Sequence, residues 1–596
     1  MRFLRNVLAT LVGLIVFFGL VFAIFAGIIA SAAQKPEVEV KENSVLRIKL
    51  NKPIVERDPE DPFSQLPFPG MDNGVLGLLD VRGAIKAAKE DENIQGIYLD
   101  ASISPGGFAS LEEIRNDLID FKESGKFIVS YSDFLTERAY YVASVADELY
   151  IHPDWGGVEF NGFLVETVFI KETLDKLGLK PEIFRVGDFK SAIEPLTRTS
   201  MSDSSRAQTV SFLNSLYDTY LDRVSTSTSI AENQLRSLAD SMKIQEPQDA
   251  VDANMVTGLR YPEEVLDLIR EKLGIAEAEE EGEESKKKND INFISVGKYS
   301  QAVNAKDPDY SRNRVAVIVA SGNIVDGEGD ANSIGGDKFA KEIRKAREDD
   351  NVKAIVIRIN SGGGSALASD KMWREIQLAK QEKPVIASMS DVAASGGYYM
   401  AMGCDTIVAH PNTITGSIGI FGAFFNVEGM LDKIGVDTEI VQTGEFADIF
   451  TPSKPMSEAE RRIIQTGIEQ GYETFTSKAA EGRNMSVEDL KKVASGRVWS
   501  GTEALERDLV DVLGGLDMAV DIAVAKAGLE EDDYRIKYYP EKKTFFEQIM
   551  KELGQEVSTY WLKRELGDAF PYVKQFQEIK TWQGIQARMP FEMEIK

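Results

Sequence analysis

Three regimes of hydrophobic and polar patterning divide the chain. From Asn6 to Gln34 no charged residue occurs, and Val7 to Ala33 is essentially apolar. That run exceeds the roughly 20 residues needed to cross a bilayer, so it predicts a membrane-spanning helix. Arg2 and Arg5 precede it, which places the N-terminus in the cytoplasm and the body outside. Ala30-Ser31-Ala32 resembles a signal-peptidase site. A secretory apolar region runs only about 7–15 residues, however, so a retained anchor is expected.

Further along, short β-branched runs alternate with amphipathic stretches. Ala354 to Ile359 predicts a strand, Met372 to Leu378 a helix, Pro384 to Ser388 a strand and Tyr398 to Met402 the start of a helix. Such alternation implies an α/β fold on a mostly parallel, covered sheet. Between these regions lie polar breaks. Asn51 to Asn73, rich in Pro and Asp, predicts an exposed loop, and the acidic run Ala276 to Glu284 followed by Lys286 to Lys288 predicts a linker. After Tyr539, Phe545, Phe546, Ile549 and Leu553 stand at helical spacing and predict a helical tail. Its aromatics (Trp561, Phe570, Tyr572, Phe576, Trp582) are expected to pack on the body or on another subunit.

Self-similarity changes the picture. Ser132-Asp133, Tyr140-Tyr141 and His152-Pro153 match Ser390-Asp391, Tyr398-Tyr399 and His410-Pro411 at a constant offset of 258. Leu174 to Gly178 matches Leu431 to Gly435, and Gly187-Asp188-Phe189 matches Gly444-Glu445-Phe446, both at 257. A whole domain is therefore repeated. The expected organisation is an anchor over 1–34, a first repeat over 45–275, a linker over 276–290, a second repeat over 291–540 and a tail over 541–596.

Composition narrows the chemistry. A net charge of −28 argues against nucleic acid, whose phosphates need clustered Lys and Arg. The single cysteine, Cys404, excludes an intrachain disulfide and a cysteine zinc cluster, and no metal or cofactor is expected. The two histidines, His152 and His410, occupy the same repeat position, which marks a structural role and argues against a Ser-His-Asp triad. No G-x-S-x-G elbow surrounds Ser395, and no Gly-Lys-Ser/Thr follows Gly362 to Gly364, so a nucleophile elbow and a P-loop are both excluded.

The two repeats have complementary losses. Ser395, among small residues at a strand-to-helix turn, corresponds to Glu137; Lys190 corresponds to Ala447. One repeat keeps a serine and the other keeps a lysine, as a composite Ser-Lys site would require. The lysine must be neutral to act as base, so its pKa has to fall by roughly three units, a shift of the size that burial produces. Phe189, Ala192 and Ile193 are suitable apolar neighbours, while Asp188 and Glu194 would oppose the shift if they faced the amine. Gly396 N–H, and an N–H of Gly363 or Gly364, are the candidate oxyanion donors.

Ala393-Ala394-Ser395-Gly396-Gly397-Tyr398, Thr415 to Gly419, and Gly187 to Ser191 with Glu194-Pro195 resemble the signal peptide peptidase A (protease IV) family in its long, duplicated form, from about residue 45 to 540. The resemblance implies tandem Clp/crotonase-like domains, Ser395 as nucleophile, Lys190 as general base, Gly396 and the Gly363 region as oxyanion hole, and Ser417 as the hydroxyl orienting the lysine. One departure is Gly362, where the family turn usually carries proline. The implied activity is hydrolysis of apolar peptides, such as signal-peptide remnants, through an acyl-enzyme. A homotetramer is implied too, on a single-pass inner-membrane anchor with the body on the periplasmic side. The rival readings are a crotonase-type acyl-CoA enzyme and a non-catalytic membrane scaffold.

Overall fold

The computed structural model describes residues 38–58, 74–275, 291–306, 312–330, 332–530, 533–541 and 584–589, with a few isolated positions before residue 21. Most of the expected membrane span, the 276–290 linker and most of the tail lie outside the described residues. Among the described residues, no helix is long and apolar enough to cross a membrane.

Two sheets, the first parallel and the second parallel except for its Val498–Ser500 edge, carry the repeat. The first runs, from edge to edge, Gly258–Leu259, Glu148–Ile151, Phe127–Ser132, Ile94–Asp100, Ser44–Lys49 and Asn292–Ser295. The second runs Val512–Leu513, Thr406–Ala409, Val385–Ala394, Val352–Ser361, Arg314–Ser321 and Arg535–Tyr539, with Ile414–Gly416 and then Val498–Ser500 added beside the far end of Val385–Ala394. Strand order is the same in both, so the tandem α/β duplication read from the sequence is present. The boundary between repeats moves, however. Asn292–Ser295 pairs with Ser44–Lys49 and closes the first sheet, as Arg535–Tyr539 closes the second. The second repeat therefore begins near Arg314 rather than at residue 291.

Why these segments fold this way is visible in Val352–Ser361. Ile355, Ile357 and Ile359 point into one apolar core with Met372 and Ile376. Ala354 and Val356 point into another with Leu516, Ala519, Val520 and Ala523 of the helix Leu516–Ala527. Both faces are covered, so the strand reads as a continuous apolar run. The following helix, Ala366–Ala379, is capped by Ser365 Oγ, which accepts from Ala368 N (3.2 Å), and buries Ala368, Met372, Ile376 and Ala379 on one stripe.

A third, mixed sheet joins the repeats: Ser333–Gly335, Asn323–Val325, Gly363–Ser365, Gly584–Arg588, Phe421–Asn426 and Lys180–Arg185. Lys180–Arg185 leaves the first repeat and pairs antiparallel with Phe421–Asn426 of the second, from Phe421 opposite Arg185 to Asn426 opposite Lys180. Gly584–Arg588 is a strand, not part of a helical tail. Backbone pairing on both flanks decides its state, and no helical period enters.

The interface between repeats also holds buried charge. Arg358 is fully buried and donates to Glu56 (2.8 Å), Glu113 (2.9 Å), Ser388 (3.1 Å) and Ser390 (3.0 Å). Arg82 pairs with Glu113 (2.8 Å), Asp117 (2.7 Å) and Asp517 (2.5 Å). Glu56 lies in the expected exposed loop yet is buried; Ile54–Val55 pairs with Leu76–Gly77 and carries it inward. Both repeats supply partners, so removing one leaves a buried charge uncompensated, at a cost of about 3–5 kcal/mol. His410 joins the network through Nε2 and Glu113 Oε1 (3.0 Å), while His152 Nδ1 accepts from Asp154 N and Trp155 N in a turn, so both histidines are structural.

Burial would depress the imidazole pKa of His410, but Glu112 and Glu113 outweigh it and raise it to about 9. Its contribution is therefore fully present below about pH 6.5 and fades as pH climbs to about 9, a change of order 3 kcal/mol. In denaturant unfolding, the stability of the unaltered chain relative to His410→Gln should fall across this window. Parallel pH curves for the two proteins would contradict this assignment.

Candidate active site

Ser395 ends Val385–Ala394 and precedes the helix Gly396–Ala401. Its φ of 55° and ψ of −109° lie outside the regions comfortable for a residue with a side chain, a strain of order 1–3 kcal/mol. The surroundings hold it there. Ser395 N donates to Gly416 O (2.8 Å), Tyr399 N donates to Ser395 O (2.8 Å), and a Cβ at Gly397 would fall 2.6 Å from Ser361 O. Small neighbours are a packing requirement of this turn.

Lys190 arrives from the other repeat. The swapped strand Lys180–Arg185 runs directly into the loop 186–190, where a Cβ at Gly187 (φ 94°) would collide with Ser495 O and Phe189 N donates to Ser495 O (3.1 Å). Gln208, fully buried on the helix Asp203–Thr228, donates to Phe189 O (3.1 Å) and Ser191 Oγ (2.8 Å) and accepts from Val498 N (3.2 Å). The lysine stem then passes between two glycines. A Cβ at Gly496 would lie 2.7 Å from Lys190 Cβ, and one at Gly419 would lie 3.3 Å from Lys190 Cδ.

The structure brings the expected residues together. Lys190 Nζ lies 2.8 Å from Ser395 Oγ, 3.0 Å from Ser417 Oγ and 3.0 Å from Ser417 O, and all three residues are 0% exposed. Burial holds the Lys190 pKa well below its ordinary value. The two nearby acids do not counter it. Asp188 is exposed, and the Glu194 carboxylate is taken up by Ser202 N (2.9 Å) and Ser202 Oγ (2.5 Å). Ser417, with φ 50°, is pinned by its own N–H to Arg497 O (2.6 Å).

Gly363 (φ 99°) and Gly396 face each other: a Cβ at Gly363 would fall 2.7 Å from Gly396 N. The Gly363 N–H donates to Ser361 Oγ (3.1 Å), which in turn donates to Gly322 O (2.6 Å). Gly364 is committed to the strand pairing opposite Ile324. At the corresponding place in the first repeat, Glu137 accepts from Asn161 N (3.0 Å) and Gly162 N (2.8 Å), and burial pushes its carboxyl up to about 6. Sequence reading missed Gln208 and the loop 494–497. Gln208 carries no local signal, and Gly496 betrays itself only as a glycine in an otherwise ordinary turn.

The family model for peptidase family S49 matches residues 120–276 and 377–530. Protease 4 of Haemophilus influenzae is 33% identical over 593 residues, 93% of each chain. Protease 4 of Salmonella typhi is 36% identical over 489 residues, 80% of this chain and 76% of that one. The chloroplastic serine protease SPPA of Arabidopsis thaliana is 32% identical over 526 residues, 87% of this chain and 74% of that one. A solved ClpP1 mutant from Listeria monocytogenes aligns with 34% of this chain and 94% of its own at 16% identity, with a TM-score of 0.24.

A lysine whose pKa burial depresses costs stability between its folded and unfolded pKa values, because there the unfolded chain binds a proton that the folded one does not. The lysine's own contribution, read as the unaltered chain minus Lys190→Met, should thus rise by about 1.4 kcal/mol per pH unit between the depressed pKa and about 10.4. Lys190→Met should remove that rise in chemical denaturation. An unchanged slope in the variant would show that the amine is charged in the fold.

Proposed function

The chain belongs to peptidase family S49 and is a serine protease, and on that premise we propose that Ser395 is its nucleophile and Lys190 its general base. One observation carries the reading: a fully buried amine 2.8 Å from a fully buried hydroxyl, delivered by the opposite repeat. A neutral amine has two N–H donors and one lone pair. Ser417 O and Ser417 Oγ accept the two donors, which turns the lone pair toward the Ser395 hydroxyl. Ser417 is a positioning residue in this scheme.

Lys190 takes the Ser395 proton as Oγ attacks the peptide carbonyl. The Gly396 N–H stabilises the oxyanion, and the Gly363 N–H would add a second donor only by exchanging its Ser361 Oγ partner for the oxyanion. Lys190 then protonates the leaving amine, and the acyl-enzyme is hydrolysed by a water that Lys190 deprotonates. No step calls for a metal or cofactor. The acyl-CoA and scaffold readings account for neither the lysine's delivery nor its depressed pKa and are set aside.

Apolar peptides such as signal-peptide remnants are the proposed substrates, and a single-pass anchor over residues 7–33 in the inner membrane would hold the body on the periplasmic side, next to them. A homo-oligomer, a tetramer by resemblance, also fits the repeat. The second-repeat equivalent of Lys180–Arg185 is 437–442, exposed, with Val441 93% accessible. The first-repeat equivalent of Phe421–Asn426 is 163–168, with Leu164 and Val168 exposed. Repeating the internal pairing between copies would join them head to tail, which gives a ring if the rotation closes.

With the full chain in detergent and a fluorogenic peptide ester carrying an apolar residue before the scissile bond, Ser395→Ala and Lys190→Ala should each lower kcat/KM by at least ~10³-fold. Ser417→Ala should cost roughly 10–100-fold, seen mainly in kcat. Near-normal turnover in either of the first two variants would place the chemistry elsewhere.

A further inference from the structure

Gln208, fully buried on the helix Asp203–Thr228, touches backbone of both repeats beside the candidate dyad. Its amide nitrogen commits both N–H groups to the residues either side of Lys190, donating to Phe189 O (3.1 Å) and Ser191 Oγ (2.8 Å). Its oxygen accepts from Val498 N (3.2 Å) on Val498–Ser500, the edge strand of the second sheet. Val498 stands opposite Gly416, whose carbonyl accepts from Ser395 N (2.8 Å). Ser417 follows directly, its N–H bonded to Arg497 O (2.6 Å). One carboxamide thus ties the backbone that carries the lysine to the backbone that seats both serines. Charged groups on the elements packed here are engaged elsewhere. Asp188, Asp203 and Arg206 are exposed, Glu194 is taken up by Ser202, and Glu503 by Ser211 Oγ and Ser500 N. The guanidinium groups of Arg497 and Arg507 stack on the Trp499 ring (3.9 and 4.0 Å).

Val498 N is an edge-strand donor, and Val498 itself is buried, so without the Gln208 oxygen its N–H needs a water. Ser191 Oγ is in the same position once the amide nitrogen is gone. Water drawn in to satisfy them would stand beside the residues flanking Lys190. We propose that Gln208 is a positioning residue for the reaction, one that clamps the lysine loop of the first repeat onto the strand anchoring Ser417 in the second and keeps water from the amine. This deepens the reading of Lys190 as general base and rests on it. Burial is what holds the amine well below its ordinary pKa, so loosening the clamp must raise it and leave less neutral base near neutral pH. The substrate does not touch Gln208, so the loss falls on kcat rather than on KM.

The test follows the fluorogenic ester and the pH dependence of Ser395 phosphonylation in the full chain, Gln208→Met, Ser191→Ala and Ser215→Ala. Methionine keeps the length and bulk of glutamine and none of its hydrogen bonds. Ser215 is the control: it lies on the same helix and meets the same edge strand through Ser500 Oγ (2.7 Å), with no bond to the lysine loop. Gln208→Met should lower kcat about tenfold or more with KM within about twofold, and move the ionisation up by at least about half a pH unit. Ser191→Ala, which removes one of the three partners, should move it the same way by less. Ser215→Ala should leave it in place. An unmoved ionisation in Gln208→Met, or an equal move in Ser215→Ala, overturns the proposal. Should Gln208→Met not fold, Ser191→Ala decides: an upward move supports the clamp, and none overturns it. Should Lys190→Met leave the ionisation of the full chain unchanged, the reading of Lys190 as base fails. Hydrogen exchange then decides the clamp by itself. Gln208→Met should speed exchange in both 186–191 and 495–498 while Val385–Ala394 keeps its rate; faster exchange in one segment only, or in neither, overturns it.

Discussion

Burial of the Lys190 amine, with no carboxylate hydrogen-bonded to it among the described residues, is the constraint around which the two repeats are arranged. A lysine in ordinary surroundings keeps its proton at neutral pH and cannot serve a serine. To lose it, the amine must leave water and meet only dipoles, and a short loop on one repeat cannot supply such a pocket. The molecule solves this by exchange of backbone. Lys180–Arg185 crosses to the second repeat's sheet, and the following loop is sealed by Gly496, Gly419, Ser417 and Gln208. Glu194, four residues on, is buried with its carboxylate taken up by Ser202 N and Ser202 Oγ.

The same constraint explains why the duplicated halves diverged at complementary positions. In the proposed dyad the base comes from one repeat and the nucleophile from the other, so each is needed only once. In the first repeat Glu137 stands at the counterpart of Ser395 and accepts from two backbone N–H groups. The inter-repeat cluster of Arg358, Arg82, Glu113 and His410 holds the two sheets in fixed relation. A geometry of 2.8 Å between residues 205 positions apart depends on that.

Much of this was legible in the sequence because duplication supplies an internal control. The offset of 258 aligned Ser395 with Glu137, and the offset of 257 aligned Lys190 with Ala447, before any coordinate was needed. Apolar runs such as Ala354 to Ile359 gave the strands, since residues buried on both faces leave a continuous signal. What stayed hidden depends on backbone pairing. Lys180–Arg185 joining the other repeat, Asn292–Ser295 closing the first sheet and Gly584–Arg588 lying beside Gly363–Ser365 are choices of partner, and side-chain period does not encode partners. Glu56 was hidden for a related reason: a charged residue in a Pro- and Asp-rich stretch reads as exposed unless its buried partner, Arg358, is already known.

The most direct test of a lysine held neutral for the serine is the pH dependence of Ser395 phosphonylation, followed by intact mass. The rate should rise through a single ionisation well below 10.5 and then level off, and Lys190→Met should abolish that ionisation. A rate that climbs without levelling to pH 10, or one that Lys190→Met leaves unchanged, would contradict the account.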